Sequence, residues 1–376
     1  MVRVTLWVSV FAMGISPPAA ADSTSRKSVT REVDLTPPRL MATTGPLVAS
    51  QFLFASYESQ YLEAERAVYK KWVAGGRTAA DGSSHYGALR SRYQWSVRKG
   101  LAVGPTAPTD SIYRRGAEIT RSMLRAYLTS SECAIAPHIA TNLADMEMLY
   151  VIEGDQDALE CMKGVGRYLG AQYPEDDLDL SGPRSDPRSA AILLQVLAAG
   201  ARYNLPYSAR QSWGSSWREA ATNIVRRISR QIHPSGKVVS LAHKNSDQGD
   251  EAFFMNAMLA AELLRWHGFV ETQPNWFRLA QRILDHLVDE HAKRDAACLP
   301  YTSSDESTCA ADLAGFYVWP ALVVWQDSGD ARFRDFAIKN IAAAGSAFVG
   351  GAKQFNQTYS TGAQNAEALL SGHHWR

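Results

Sequence analysis

Helical segments of two kinds alternate along the second half of the sequence, and this alternation constrains the fold more than any other feature. Three segments are apolar on nearly every face, as in Ala190–Leu194, Phe253–Met255 and Phe316–Trp319. A helix without a polar face must be buried on all sides. The segments between them carry charges such as Arg226 and Asp335, so one face of each lies in water. The apolar segments cover 187–203, 250–267 and 311–326, and the charged segments cover 208–232, 275–293 and 330–345.

The spacing of apolar residues predicts about twelve helices in an all-α domain, with strand-like alternation only in short pieces such as 237–241. An alternation of buried and half-exposed helices predicts six antiparallel pairs, with inner helices inside a ring of outer ones. The remaining predicted helices lie near 50–73, 85–98, 110–129, 136–152, 155–172 and 362–371.

Capping residues support several of these helix starts. Asp186 precedes Pro187, which suits the first helical position. Ser208 and Gln211 have the spacing of a capping box. Asp155 and Asp330 each follow a glycine, so one helix can end and the next begin there.

The chain resembles the six-hairpin (α/α)6 toroid superfamily of carbohydrate-active enzymes, which includes glycoside hydrolases and polysaccharide lyases. The resemblance rests on the Gly-Asp turns in Glu153–Asp155 and Ser328–Phe333, and on the aromatic-Met helix start in Asp247–Met255. It covers most of residues 110–345 and implies an (α/α)6 toroid that acts on carbohydrate. No catalytic motif of one family can be placed residue by residue, so no catalytic residue is carried over.

The N-terminus has the three parts of a secretory signal peptide. Arg3 is followed by the apolar run Val4–Met13, which is too short to span a membrane, and Pro17 breaks it. Small residues at Ala19–Ala21 form a cleavage site before Asp22, although an uncleaved anchor is the alternative. We therefore expect a signal peptide over 1–21, a flexible segment over 22–48, one toroid domain over 49–376, and export to the periplasm or the extracellular space.

Net charge and cysteine content limit the partners and the compartment. A net charge of +1 gives no electrostatic reason to expect nucleic acid, and no later segment is apolar enough to predict a membrane span. Four cysteines in an exported chain suggest two disulfides. Three pairings are possible, and closeness in sequence favours Cys133–Cys161 with Cys298–Cys309. Metal ligands or redox thiols are the alternative, but the C-x-x-C spacing is missing.

Long predicted loops precede the inner helices, at 173–186, 233–249, 294–310 and 346–361, whereas the predicted loops that leave inner helices are short. In alternating antiparallel hairpins, all loops of one kind fall on one face. Long loops in a compact domain are usually functional. We therefore expect the functional face at the N-terminal ends of the inner helices, with loop 233–249 bordering the largest open cleft.

Carboxylates in and near these loops are the candidate catalytic groups, because glycoside hydrolysis needs one carboxyl group as acid and another as base or nucleophile. Each also has a structural interpretation as a helix cap, a first-turn charge or a member of an ion pair. The predicted catalytic residues are Asp247, Asp250, Glu251, Asp145 and Asp312.

Aromatic and polar residues at the same places are candidate substrate contacts, because sugar rings stack on aromatic side chains. Core packing is the alternative, above all for Trp319. The predicted binding residues are His243, Asn245, Tyr301, Tyr317, Trp319 and Tyr359. No metal or cofactor motif is present: His286, Glu290 and His291 are spaced H-x-x-x-E-H, which fits no zinc helix.

Three functions are consistent with these features. The first is an exported glycoside hydrolase with paired carboxylates and a carbohydrate substrate. The second is a polysaccharide lyase, for which His243, Asn245 and Tyr301 supply suitable groups. The third is a non-catalytic toroid that binds a glycan or a protein.

Overall fold

The computed structural model describes residues 124–134, 154–173, 186–240, 250–305 and 309–347, together with positions 59, 63, 121, 146–147, 149–151, 361 and 365. All of them belong to one compact unit that runs from Pro38 to Arg376. The predicted signal peptide and the segment 22–48 lie outside the described residues.

Seven long helices lie in the described part of the chain. The predicted segments match six of them to within about four residues at each end. In chain order the helices are α1 (Gln156–Ala171), α2 (Pro187–Arg202), α3 (Trp217–Ser229), α4 (Phe253–Phe269), α5 (Pro274–Arg294), α6 (Gly315–Ser328) and α7 (Ala331–Gly345).

Helix α3 begins later than predicted, and the predicted capping box at Ser208 and Gln211 is wrong. A short 3₁₀ helix covers Gln211–Trp213, and Ser216 caps α3 by accepting a hydrogen bond from the N–H of Glu219. The connection that leaves inner helix α2 is therefore long, contrary to the predicted loop asymmetry. The connections that leave α4 and α6, at 270–273 and 329–330, are short.

The alternation of inner and outer helices is confirmed for the described helices. Helices α2, α4 and α6 pack side by side, while α3, α5 and α7 each pack on the inner helix that precedes them. No residue of α4 is exposed, whereas α5 exposes residues such as Arg278, Arg282 and Asp289 along one face. The inner helices therefore form the wall that any central site must use.

Local chemistry fixes the helix starts that the sequence predicted. Asp155, Asp186 and Asp330 each accept a hydrogen bond from a backbone N–H in the first turn of their helix. Pro187 occupies the start of α2, and Gly329 ends α6 with a φ of 73°. These positions need either a free N–H partner or a left-handed backbone, which is why Asp, Pro and Gly occupy them.

Both predicted disulfides are present. The Cα atoms of Cys133 and Cys161 are 4.9 Å apart, and those of Cys298 and Cys309 are 4.8 Å apart. The first joins α1 to the end of the preceding helical segment. The second closes the loop between α5 and α6. Within the described residues, no helix is both long enough and apolar enough to cross a membrane.

Candidate active site

Aromatic rings join the N-terminal ends of two inner helices. The ring centroid of Phe254, at the start of α4, is 5.2 Å from that of Tyr301 and 5.7 Å from that of Phe316, near the start of α6. Tyr301 itself belongs to the loop that enters α6. The fold therefore brings together, at the predicted functional face, residues such as Phe254 and Phe316 that lie about 60 positions apart in the sequence.

Charged groups at the start of α2 interact electrostatically with Tyr301. The Oδ1 atom of Asp186 accepts the N–H of Ser189 at 2.7 Å, and its Oδ2 atom accepts a hydrogen bond from Arg188 at 3.0 Å. The Asp186 side chain is 7% exposed and that of Arg188 is 47% exposed. A buried carboxylate that accepts from a helix N-terminus and from a partly open guanidinium is held in a fixed orientation.

Tyr301 connects this pair to Asp312, which lies in the 3₁₀ helix Ala311–Leu313 just before α6. Burial raises the pKa of the Tyr301 phenol. The charge of Arg188 lowers that pKa, and those of Asp186 and Asp312 raise it. The phenol therefore lies within electrostatic reach of two carboxylates and one guanidinium, and it keeps its proton at neutral pH.

The loop that carries Tyr301 is held by Asp250. The Asp250 carboxylate accepts hydrogen bonds from the hydroxyls of Ser303 and Ser304 and, at 3.2 Å, from the N–H of Ser304. Burial acts to raise the pKa of Asp250, but these hydrogen bonds lower it below its usual range. With 3% exposure, Asp250 has its oxygens committed to the loop. We therefore revise the predicted catalytic role of Asp250 to one of positioning Tyr301.

Glu251 points to an outer helix. Its carboxylate lies 2.9 Å from Nε2 of His286 on α5 and 3.7 Å from Nζ of Lys237. The side chain is 2% exposed. Asp250 and Glu251 therefore diverge and do not form a catalytic pair, which corrects the expectation for Glu251.

Backbone contacts also hold the loop around Tyr301. An isolated antiparallel bridge joins Ala252 to Thr302, and a second bridge, from Ser240 to Asp250, holds the segment on which the loop packs. Arg294 donates to the carbonyl of Ser303 at 2.9 Å. With the Cys298–Cys309 disulfide, these contacts leave Tyr301 on a braced loop, as a site that orients substrate requires.

A charged cluster lies deeper on the inner wall. Glu262 and Arg265 on α4 form an ion pair with side chains only 11% and 19% exposed. The Arg265 guanidinium lies 5.2 Å from the ring centroid of Trp319 on α6. Burial raises the pKa of Glu262, and Arg265 partly offsets this. Trp319 is thus covered by a cation, which corrects its predicted role as an open sugar platform.

Tyr317 is a core residue. It is fully buried, and its ring centroid lies 5.5 Å from that of Phe336 on outer helix α7. This burial agrees with the core-packing alternative and leaves no exposed surface of Tyr317 for a sugar ring. The remaining predicted residues lie outside the described part of the chain: Asp145, Asp247, His243, Asn245 and Tyr359.

Sequence reasoning assigned Asp186 only a capping role and overlooked Arg188, Glu262 and Arg265. A signal for the last two was present, because they are the only Asp, Glu, Lys or Arg residues in the apolar helix α4. Among the described residues, no group of three His, Cys, Asp or Glu side chains is arranged to hold a metal ion.

Comparison with known proteins identifies the architecture. The solved structure of an unsaturated glucuronyl hydrolase specific for heparin is similar to this chain, with a TM-score of 0.55 and 14% sequence identity. The match covers 85% of this chain and 96% of the other. The chain has the six-hairpin (α/α)6 toroid fold. No family model matches the sequence, and no curated protein matches it.

Proposed function

We propose that this protein is an exported glycan-active hydrolase with its active site at the N-terminal ends of the inner helices. The observation that carries the proposal is that the ion pair of Asp186 with Arg188, together with Asp312, lies within electrostatic reach of Tyr301. The fold neighbour, which is named as a glucuronyl hydrolase, supports the same reaction class.

In the proposed reaction, Asp186 acts as the base. Its negative charge is stabilised by Arg188 and by the first turn of α2. Asp186 takes a proton from water as the water oxygen bonds to the anomeric carbon. Asp312 enters this step in its protonated form and gives that proton to the departing glycosidic oxygen as the bond breaks. Asp186 thus gains one proton while Asp312 loses one, and the charge of the pair is unchanged. Tyr301 orients the sugar as a hydrogen-bond donor.

The protonated phenol of Tyr301 favours hydrolysis over elimination. A polysaccharide lyase that uses tyrosine as its base needs a phenol that gives up its proton readily. Burial and two nearby carboxylates instead raise the pKa of Tyr301. This observation ranks the lyase below the hydrolase.

The proposed substrate is an oligosaccharide that contains an acidic sugar. The fold neighbour is named for glucuronyl substrates. Arg188 supports the assignment here, because nearly half of its side chain is exposed beside the proposed site. A guanidinium binds a sugar carboxylate with two parallel hydrogen bonds, which lysine does not do.

Export is proposed from the signal-like N-terminus and is supported by the two disulfides, which persist in oxidising compartments. N-terminal sequencing of the mature protein tests it, with Asp22 expected as the first residue. The single-domain assignment over 49–376 is proposed on the same basis as the fold.

The test of function is a panel of acidic and neutral oligosaccharides, with new reducing ends and unsaturated products measured separately. We expect new reducing ends only, from acidic substrates. Asp186→Asn and Asp312→Asn should each lower kcat by about 10²–10⁴-fold, the range of acid-base catalysis. Unsaturated products, or full activity in both variants, would contradict the assignment.

A further inference from the structure

An open groove of about 730 Å³ lies on the outer ring, between α3 and α5. Helix α3 packs mainly against the inner helix α2, and α5 packs mainly against the inner helix α4. At one end, an ion pair of 3.4 Å joins Arg218 on α3 to Glu271 in the loop that precedes α5. At the other end, the loop at Gly236 touches the backbone of α5 at Arg282. The groove is thus a fixed feature of the helix arrangement, held open at both ends.

Positive charge dominates the groove wall. Exposed guanidiniums come from Arg226 on α3 and from Arg278 and Arg282 on α5. Arg226 and Arg278 donate only to neutral asparagine side chains, at 3.0 and 2.7 Å, and within the described part of the chain none of the three has a carboxylate partner. Asp285, the acidic residue of the wall, is paired with Arg332 at 3.2 Å.

Apolar side chains at the groove are already buried. Val225, Trp276 and Leu279 are between 4% and 6% exposed. The indole of Trp276 packs on Trp266, with ring centroids 5.2 Å apart, so it offers no free face for stacking. Recognition in the groove must therefore come from charges and hydrogen bonds. Single-stranded nucleic acid, which needs open aromatic platforms, fits it poorly.

We propose that this groove binds a segment of an anionic polysaccharide through its carboxylate or sulfate groups. Three exposed guanidiniums along one groove, on a chain with a net charge of only +1, are a local concentration of charge. Such groups bind carboxylate and sulfate oxygens strongly. The groove belongs to the outer ring, whereas the proposed active site belongs to the inner helices, so the groove anchors a polymer that the active site then cuts. The proposal rests on the proposed function for its substrate class.

The test compares two double variants of the full chain. Arg278→Ala with Arg282→Ala removes two charges from the groove. Arg227→Ala with Arg230→Ala removes two charges from α3 and its end that do not face the groove. Affinity electrophoresis through gels that contain heparin, polygalacturonate or neutral dextran measures binding. We expect the groove variant to lose about tenfold in affinity for the acidic polymers, and the control to lose little.

Activity separates this proposal from the proposed function. The groove variant should hydrolyse a short acidic disaccharide at the wild-type rate but degrade the polymer more slowly. Equal losses in both double variants would mean general charge attraction and would overturn the groove. Unchanged binding in the groove variant, or equally tight groove-dependent binding of single-stranded DNA, would overturn it as well. If no glycan is cut but groove-dependent binding remains, the proposed function fails and the groove stands.

Discussion

The carboxylate of Asp250 accepts a hydrogen bond of 3.2 Å from the backbone N–H of Ser304, three residues after Tyr301. The two residues are 54 positions apart in the sequence. Hydrogen bonds to a charged acceptor are stronger than those to a neutral one. This contact therefore makes the position of Tyr301 depend on a side chain at the entrance to another inner helix.

Replacing Asp250 by Asn should destabilise the protein and weaken activity indirectly. The variant loses the charged acceptor for Ser303 and Ser304, which costs about 1–3 kcal/mol in the free energy of unfolding. Urea denaturation measures this cost. Because Asp250 positions Tyr301, KM should rise more than kcat falls, and the pH profile of kcat should keep its shape. A loss of kcat alone, with unchanged stability, would restore Asp250 as a catalytic group.

The stability contributed by Asp250 should depend on pH in one direction. Its pKa in the folded protein is lowered, because hydrogen bonds outweigh the effect of burial. The unfolded chain, with an ordinary Asp pKa of about 3.9, then binds the proton at higher pH than the folded chain. The contribution is complete above that value and is lost as the pH falls through the folded pKa. Thermal melts of wild type and Asp250→Asn should differ at pH 7 and converge as the pH falls below the folded pKa.

Asp186 should show separable roles in capping and catalysis. Asparagine caps helices as well as aspartate does, whereas alanine does not. Asp186→Asn should therefore leave stability nearly unchanged and abolish most of the turnover. Asp186→Ala should abolish most of the turnover and should also lower the free energy of unfolding, measured in urea, by about 0.5–2 kcal/mol. The control is Asp330, whose side chain caps α7 by accepting from the N–H of Arg332, so that Asp330→Ala should lose stability but retain turnover.

Gly236 should tolerate no side chain. A Cβ atom there would lie 1.9 Å from the carbonyl oxygen of Arg282, and φ is +91°. Gly329 is the matched control, because its φ is +73° and a Cβ atom added there would meet nothing within 4 Å. Gly329→Ala should cost about 1–2 kcal/mol from the backbone alone. Gly236→Ala should lower the free energy of unfolding by clearly more, as measured in urea. Equal losses in the two variants would mean that the backbone around Arg282 moves to make room for the added Cβ atom.

Removing the Cys298–Cys309 disulfide should lower the free energy of unfolding by about 3 kcal/mol. The disulfide restricts the unfolded chain by closing a loop between positions 11 residues apart. The double variant Cys298→Ala with Cys309→Ala tests this in urea. Peptide mapping without reductant should recover this pair and Cys133–Cys161. Free thiols at these positions in exported protein, or mixed pairs, would contradict the assignment.

The sequence by itself determined the features that depend on neighbouring residues. Apolar spacing separated inner from outer helices, because burial on all faces excludes a charged face. Asp155, Asp186 and Asp330 marked helix starts, since a cap acts within one turn. Closeness in sequence also favoured the correct disulfide pairs.

The tertiary structure alone decided which partner each carboxylate contacts. Asp250 and Glu251 are adjacent in sequence, but Asp250 binds the loop at Ser304 and Glu251 binds His286 on an outer helix. It also decided where α3 begins, because Trp217 packs against Gly200 and donates to the carbonyl of Leu205 at 2.8 Å. Some of these contacts join residues that are distant along the chain. Others depend on the direction in which a side chain points. The period of a helix reveals a buried face, but not the partner that fills it.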